Sequence, residues 1–272
     1  MNTDFAHYYQ RIRSKQKREA LLWSLGLVVL YLGAGNLAEF NLHTVWVSIP
    51  HFFDYLAETV PTLHWNLLFA DGRTEGSLAY WGYRLNIQLP LIWETLQLAL
   101  AATIFSVLVA TVLAFLAAGN TYTPASVRLA IRTLVAFLRT MPELAWAVMF
   151  VMAFGIGAIP GFLALALHTI GSLTKLFYES IETASNKPVR GLAPQVKPVF
   201  LSYSFMRLEI NFRQSTILGL VGAGGIGQEL MTNIKLDRYD QVSMTLLLII
   251  VVVSVLDYVS GELRKRVVEG AK

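Results

Sequence analysis

The sequence contains no cysteine. That excludes disulfides, thiolate metal sites and a cysteine nucleophile, and leaves the redox compartment unreadable. Charge is scarce as well. Asp, Glu, Lys and Arg make up 15% of the 272 residues, against roughly 25% in an ordinary soluble domain. Apolar residues reach 55% and the mean hydropathy is +0.52. A soluble globule of this composition has too few polar side chains to cover its surface. Catalytic signatures are missing too. No glycine is followed by lysine, so the phosphate-cradling G-x-x-x-x-G-K-[ST] loop is absent, as are H-E-x-x-H and G-x-S-x-G. The five histidines, His7, His43, His51, His64 and His168, are scattered, which argues against a metal site. These absences predict an all-α integral membrane protein that is not an enzyme and holds no cofactor.

What the chain does have is apolar runs, and a membrane span takes ~20 such residues. A basic stretch, Arg11 to Arg18, precedes nineteen uncharged residues, Ala20–Ala38, which read as a spanning helix rather than a cleavable signal. Thr95–Ala118 is a second span. Leu144–Thr174 runs thirty-one residues without a charge, too long for one straight helix across a ~30 Å core. Gly155, Gly157, Pro160 and Gly161 divide it. Two helices result, the first starting near Leu129 with a kink near Pro142 and the second running from about Phe162 to Leu176. Val199–Leu220 and Gln241–Ser260 complete six transmembrane helices.

Charge orients them. With the N-terminus in the cytoplasm, the inner segments carry sixteen Lys and Arg and the outer ones four, which places both termini inside. The same asymmetry accounts for the net charge of +4 without nucleic acid. The division implied is a basic cytoplasmic tail 1–19, a first membrane helix with its outer loop 20–91, a transmembrane core 92–262 and a cytoplasmic tail 263–272. Trp46, Phe52, Phe53, Tyr55, Trp65, Trp81 and Tyr83 crowd the outer loop. They suggest an interfacial aromatic belt with a short helix lying on the membrane, or a docking face for an extracytoplasmic partner.

Gly222 to Gly227 spells G-x-G-x-x-G. A membrane helix precedes it, and Asp237 and Asp240 come too early for the ribose acid of a dinucleotide site. It reads as a tight turn where backbones approach closely. The fifth span carries Arg207, Glu209, Asn211 and Arg213. Charge at mid-membrane is costly, ~3 kcal/mol or more, so it faces protein or water. Arg207 with Asn211, and Glu209 with Arg213, stand at i,i+4 on neighbouring faces. Either Glu209–Arg213 is a structural pair, or this face lines a path on which one arginine, Arg213 by preference, meets an anion. Glu94 reads as a helix N-terminal acid, His168 as a satisfied core residue, and Asp257 as a partner of a tail arginine.

Several stretches occur together in one order: Glu94-Thr95, Arg139-Thr140-Met141-Pro142-Glu143-Leu144, Phe154-Gly155-Ile156-Gly157 and Ala164 to Gly171. Lys175 to Glu179, Glu209 to Arg213 and Val221 to Gly227 follow. From Glu94 onward the chain resembles the membrane permease subunit of phosphonate-type ABC importers, which include phosphite and hypophosphite permeases. The resemblance implies a homodimer in the bacterial inner membrane, surrounded by lipid. Cytoplasmic ABC ATPase subunits bind the ATP, a periplasmic binding protein delivers the anion, and transport is by alternating access. It also implies an ATPase-docking helix between the fourth and fifth spans. There the chain departs from the family pattern. Arg190-Gly191-Leu192 stands where an acid-small-small triplet is expected, the match resumes at Pro194, and about four helical turns are missing between. Pro188, Pro194 and Pro198 predict that no docking helix forms in this loop. The upstream acids Glu179 and Glu182 are the alternative contacts. Two other functions stay open: a transport-impaired homologue with a truncated coupling loop, and an ion-driven secondary transporter.

Overall fold

The computed structural model describes residues 2–37, 42–184 and 189–269. All of its regular elements are helical. The chain divides into two compact units, Met1–Ala57 and Glu58–Lys272. The first holds α1 (Asn2–Leu37) and most of α2 (Leu42–Thr59). The second holds the short α3 (Leu78–Trp81), then α4 (Leu85–Ala117), α5 (Ala125–Thr140) and α6 (Glu143–Phe154). After these come α7 (Ala158–Thr183), α8 (Val189–Gly219), α9 (Ile226–Lys235) and α10 (Tyr239–Glu269).

Three helices among the described residues are long and apolar enough to cross a membrane: α4, α7 and α10 over Tyr239–Val267. The pair α5 and α6 passes together as a fourth, broken span, bent by 86°. The break is Met141-Pro142. Proline disfavours the α region in the residue before it, and Met141 is extended (φ −72°, ψ 126°), so α5 stops there and Pro142 opens α6. The bend expected near Pro142 is thus a near right angle. α8 falls outside this group because Lys197, Arg207, Glu209 and Arg213 interrupt its apolar character.

The core of the second unit is α4 against α7. α4 buries Thr95, Ala99, Thr103, Ser106, Ala110, Ala114 and Ala117, a stripe of small residues spaced three or four apart. Small residues let helix backbones approach closely. α7 answers with Gly161, Ala164, Thr169, Gly171, Leu173 and Phe177. The threonine hydroxyls on α4 donate to carbonyls one turn back, Thr95 to Leu91 and Thr103 to Ala99, both at 2.7 Å. This satisfies a polar group without a partner from outside the helix.

Where α6 meets α7 and α8 meets α9, the glycines do what the fingerprint-like motif suggested. Gly224 and Gly225 take positive φ (84° and 72°), a region L-residues rarely enter. At Gly227 a Cβ would overlap the Thr216 carbonyl oxygen. The Ile226 amide donates to Thr95 Oγ1 at 2.9 Å, and the Gly157 amide donates to the Gly222 carbonyl at 3.0 Å. The turn is a packed backbone junction tied to α4 and to the α6–α7 turn.

One expectation changes at this end. Glu94 lies well inside α4, which starts at Leu85, so it is not a helix N-terminal acid. The Trp81 indole Nε1 donates to the Asp240 carbonyl at 3.1 Å and to Ser243 Oγ at 2.9 Å, fastening α3 to α10. Arg84 pairs with Glu229 at 2.7 Å, joining α4 to α9.

At the opposite end, the turn after α4 is clasped by α7. The Gly119 amide donates to Glu182 Oε1 at 2.6 Å, and Asn120 Nδ2 donates to the Ile181 carbonyl at 2.8 Å. Arg132 of α5 pairs with Glu182, donates to the Ala117 carbonyl at the α4 C-terminus, and lies over the Tyr178 ring. The chain expected to break at Pro194 and Pro198 does not do so, while Pro188 lies outside the described residues. α8 begins at Val189 and continues through Pro194 and Pro198. A proline removes one donor and one i−4 bond, but packing outweighs that loss here. Phe200 stacks on Phe177 at 3.9 Å, and Val196 is buried with Ile181 and Leu173, so the start of α8 is held against the end of α7.

Candidate functional site

The polar residues of α8 divide between two faces. Glu209 and Arg213 form the i,i+4 ion pair expected from their spacing. Glu209 is buried, while the Arg213 side chain is 52% exposed. Arg213 lies about 9 Å nearer the glycine turn than Arg207, at 1.5 Å per residue.

Arg207 and Asn211 point into the bundle instead. They do not bond each other. Thr169 of α7 stands between them: Arg207 Nε donates to Thr169 Oγ1 at 3.3 Å, and that hydroxyl donates to Asn211 Oδ1 at 2.9 Å. Asn211 Nδ2 then donates to Thr103 Oγ1 at 2.9 Å. Since Thr103 donates to the Ala99 carbonyl, every hydroxyl and amide in this chain of donors is used in one direction. The series runs from α8 through α7 to α4.

On its other side Arg207 meets Glu143, the first residue of α6, at 3.4 Å. His168 of α7 flanks the same carboxylate, with Nε2 at 3.2 Å from Glu143 Oε1. The other ring nitrogen, Nδ1, lies 3.0 Å from the Met141 carbonyl. His168 is therefore a partnered interior residue, as its apolar surroundings suggested, but its partner is an acid. Glu143, His168, Thr169 and Thr103 belong to this site, although none was a path candidate from the sequence. Glu143 follows Pro142 in the stretch that carried the family resemblance, and no spacing rule connects it to Arg207.

The remaining candidates lie elsewhere. Glu182 is engaged by Arg132 and Gly119, and Glu179 faces Lys175 at 3.5 Å. A cleft of about 470 Å³ lies between the end of α7 and the start of α8, lined in part by Leu176, Glu179, Thr183, Gln195 and Val199. Arg190, Gly191, Leu192 and Pro194 are within the backbone of α8, and their side chains lie outside the described residues. Asp257 is exposed, and the tail arginine Arg266 pairs with Glu262 at 3.1 Å rather than with it.

This helical architecture is that of an ABC-transporter permease. A chain of the inward-facing MetNI methionine ABC transporter superposes with a TM-score of 0.56 at 17% identity, covering 68% of this chain and 98% of that one. An amino acid ABC transporter solved with histidines gives 0.56 at 16% identity, over 68% and 97%. No family model matches the sequence. Curated relatives narrow the class. The phosphite transport system permease protein PtxC of Stutzerimonas stutzeri is 42% identical over 199 residues, 68% of this chain and 72% of that protein. The putative phosphite transport system permease protein HtxC of the same organism is 32% identical over 195 residues, 66% and 69% of the two. The phosphate-import permease protein PhnE of Mycolicibacterium smegmatis is 36% identical over 187 residues, 63% of this chain and 35% of that longer protein. The chain belongs to the phosphite- and phosphonate-type family of ABC transport permeases.

Proposed function

We propose that this chain is the membrane-spanning subunit of an ATP-driven importer for phosphite, phosphonate or hypophosphite in a bacterial inner membrane. It works as a homodimer with six spans per copy and both termini in the cytoplasm. Cytoplasmic ATPase subunits hydrolyse the ATP, and a periplasmic binding protein hands over the anion. The sixteen-to-four division of Lys and Arg among the loops supports this orientation. The four divisions 1–19, 20–91, 92–262 and 263–272 are its tail, first helix with outer loop, transport core and second tail.

The observation that carries the reading is the set of polar residues on α8. Arg207, Glu209, Asn211 and Arg213 lie on one helix, and Arg213 keeps its guanidinium half-exposed. A half-exposed arginine in an apolar bundle is suited to bind an oxyanion through two parallel N–H bonds. Arg213 meets the anion first, with Glu209 as its resting counter-charge. Arg213→Gln should lower uptake at least tenfold while the complex still assembles. Loss of folding with no separable transport defect would make Glu209–Arg213 a structural pair and defeat this assignment.

ATPase docking involves the junction of α7 and α8. The cleft beside Glu179 and Gln195, and the start of α8 with Arg190, Gly191, Leu192 and Pro194, form the contact. The continuous helix from Val189 favours coupling through this segment over the transport-impaired reading.

A further inference from the structure

The Arg207 site has one fixed side and one loose side. On the fixed side, Thr169, Asn211 and Thr103 form an unbroken series of donors and acceptors, with all three residues buried. On the loose side, a single guanidinium nitrogen faces Glu143 at 3.4 Å. A close charge-assisted bond is nearer 2.8 Å, and a structural Arg–carboxylate pair usually engages two nitrogens at once. Arg207 has five donors, and these two contacts leave donors available to another acceptor. Glu143 shares one carboxylate oxygen, Oε1, between Arg207 and His168. It is the first residue of α6, directly after the Met141-Pro142 break, where α5 and α6 meet at 86°.

We propose that Glu143 is a built-in rival of the transported oxyanion for the Arg207 guanidinium, setting how tightly the anion is held and how readily it leaves. This rests on the reading that the anion passes along α8, and extends it from the face of Arg213 to the face of Arg207. A tetrahedral oxyanion offers two oxygens to the guanidinium fork, where Glu143 offers one at long range. The anion therefore displaces the carboxylate. When the helices rearrange, Glu143 returns and expels the anion from a site that would otherwise retain it.

The displaced carboxylate is not stranded. His168 lies on its far side at 3.2 Å. Nε2 is the nitrogen that faces Glu143 Oε1, and Nδ1 faces the Met141 carbonyl. His168 therefore gives Glu143 a partner while Arg207 is occupied. The role of Glu143 is to compete, and that of His168 is to position it.

The test is equilibrium binding of phosphite, methylphosphonate and hypophosphite to the purified permease–ATPase complex, without binding protein, alongside uptake by the complete importer. Glu143→Gln keeps the size and a hydrogen-bonding group but removes the charge. It should bind the transported anion about tenfold tighter, the equivalent of one lost competing contact, while maximal uptake falls because release is slower. Glu143→Asp draws the carboxylate back from Arg207 and should give the same changes to a smaller degree. Unchanged or weaker binding by assembled Glu143→Gln would overturn the proposal, as would failure of both variants to assemble, which would make Glu143 a strut. If the wild-type importer takes up none of the three anions, the functional reading itself fails. If it takes one up and Arg213→Gln impairs that uptake while Glu143→Gln leaves affinity unchanged, only the rivalry fails.

Discussion

Arg207 and Glu143 face each other at 3.4 Å across sixty-four residues of sequence, joining α8 to the first residue of α6 inside the bundle. Both side chains are largely buried, at 10% and 14% exposure. Removing one partner of such a pair leaves an uncompensated interior charge, a loss of about 3–5 kcal/mol. Glu143→Ala should therefore destabilise the permease strongly, Glu143→Gln less because its amide oxygen still accepts from Arg207, and Glu143→Leu combined with Arg207→Met should melt closer to wild type in detergent. Equal destabilisation by the single and double variants would mean that the two charges are not coupled.

The glycine turn makes a separate stability prediction. A Cβ at Gly227 meets the Thr216 carbonyl, and the neighbouring Gly219 lies against the same junction. Gly227→Ala must move backbone and should cost about 1–3 kcal/mol. Gly261, on α10, has open space around it. Gly261→Ala should be neutral or stabilising by up to about 1 kcal/mol. Thermal unfolding of the two variants in one detergent compares them directly, and a similar melting temperature for both would contradict the close approach.

Thr95, which ties the glycine turn to α4, gives a third prediction. Its hydroxyl accepts from the buried Ile226 amide and donates to Leu91. Thr95→Val preserves shape and leaves that amide unpaired, for a loss of about 1–3 kcal/mol. Thr95→Ser keeps the bond and should recover most of the stability. Amide hydrogen exchange at Ile226 should rise in the valine variant and stay slow in the serine one.

The α7–α8 junction separates structure from coupling. Glu182 binds Arg132 and the Gly119 amide, and the two charged side chains are about a third exposed. An ion pair this accessible contributes no more than about 1 kcal/mol. Glu182→Gln should leave transport nearly intact. Changes at Gly191 and Leu192 should reduce ATP-driven uptake with little effect on membrane abundance. The opposite pattern, with uptake lost on changing Glu179 or Glu182 and insensitive to Gly191 and Leu192, would move the docking contact to the end of α7.

Membrane orientation can be read directly. Reporters placed after Lys272 and at Asn186 should behave as cytoplasmic, and one at Gly72 as external. An external signal after Lys272 would defeat the six-span arrangement.

Part of this protein was legible without coordinates. The scarcity of charge and the long apolar runs dictated helices, because a chain surrounded by lipid must pair its backbone groups within each segment. Local chemistry ended those helices where expected: Pro142 interrupts one, and Gly155 and Gly157 turn the chain. The spacing of Glu209 and Arg213 predicted their pairing because i,i+4 is a property of one helix. Pro194 and Pro198 depart from the sequence expectation for the complementary reason. Intrinsic propensity opposes helix there, and packing against α7, with Phe200 stacked on Phe177 twenty-three residues away, holds the start of α8 in place. The interior site was hidden in the same way. Glu143, His168, Thr169 and Thr103 lie on three different helices, and their convergence on Arg207 and Asn211 depends on how α4, α6, α7 and α8 pack. A sequence periodicity reports which face of a helix is polar. Which polar face meets which is decided by close packing of side chains between helices, and that exists only in the folded molecule.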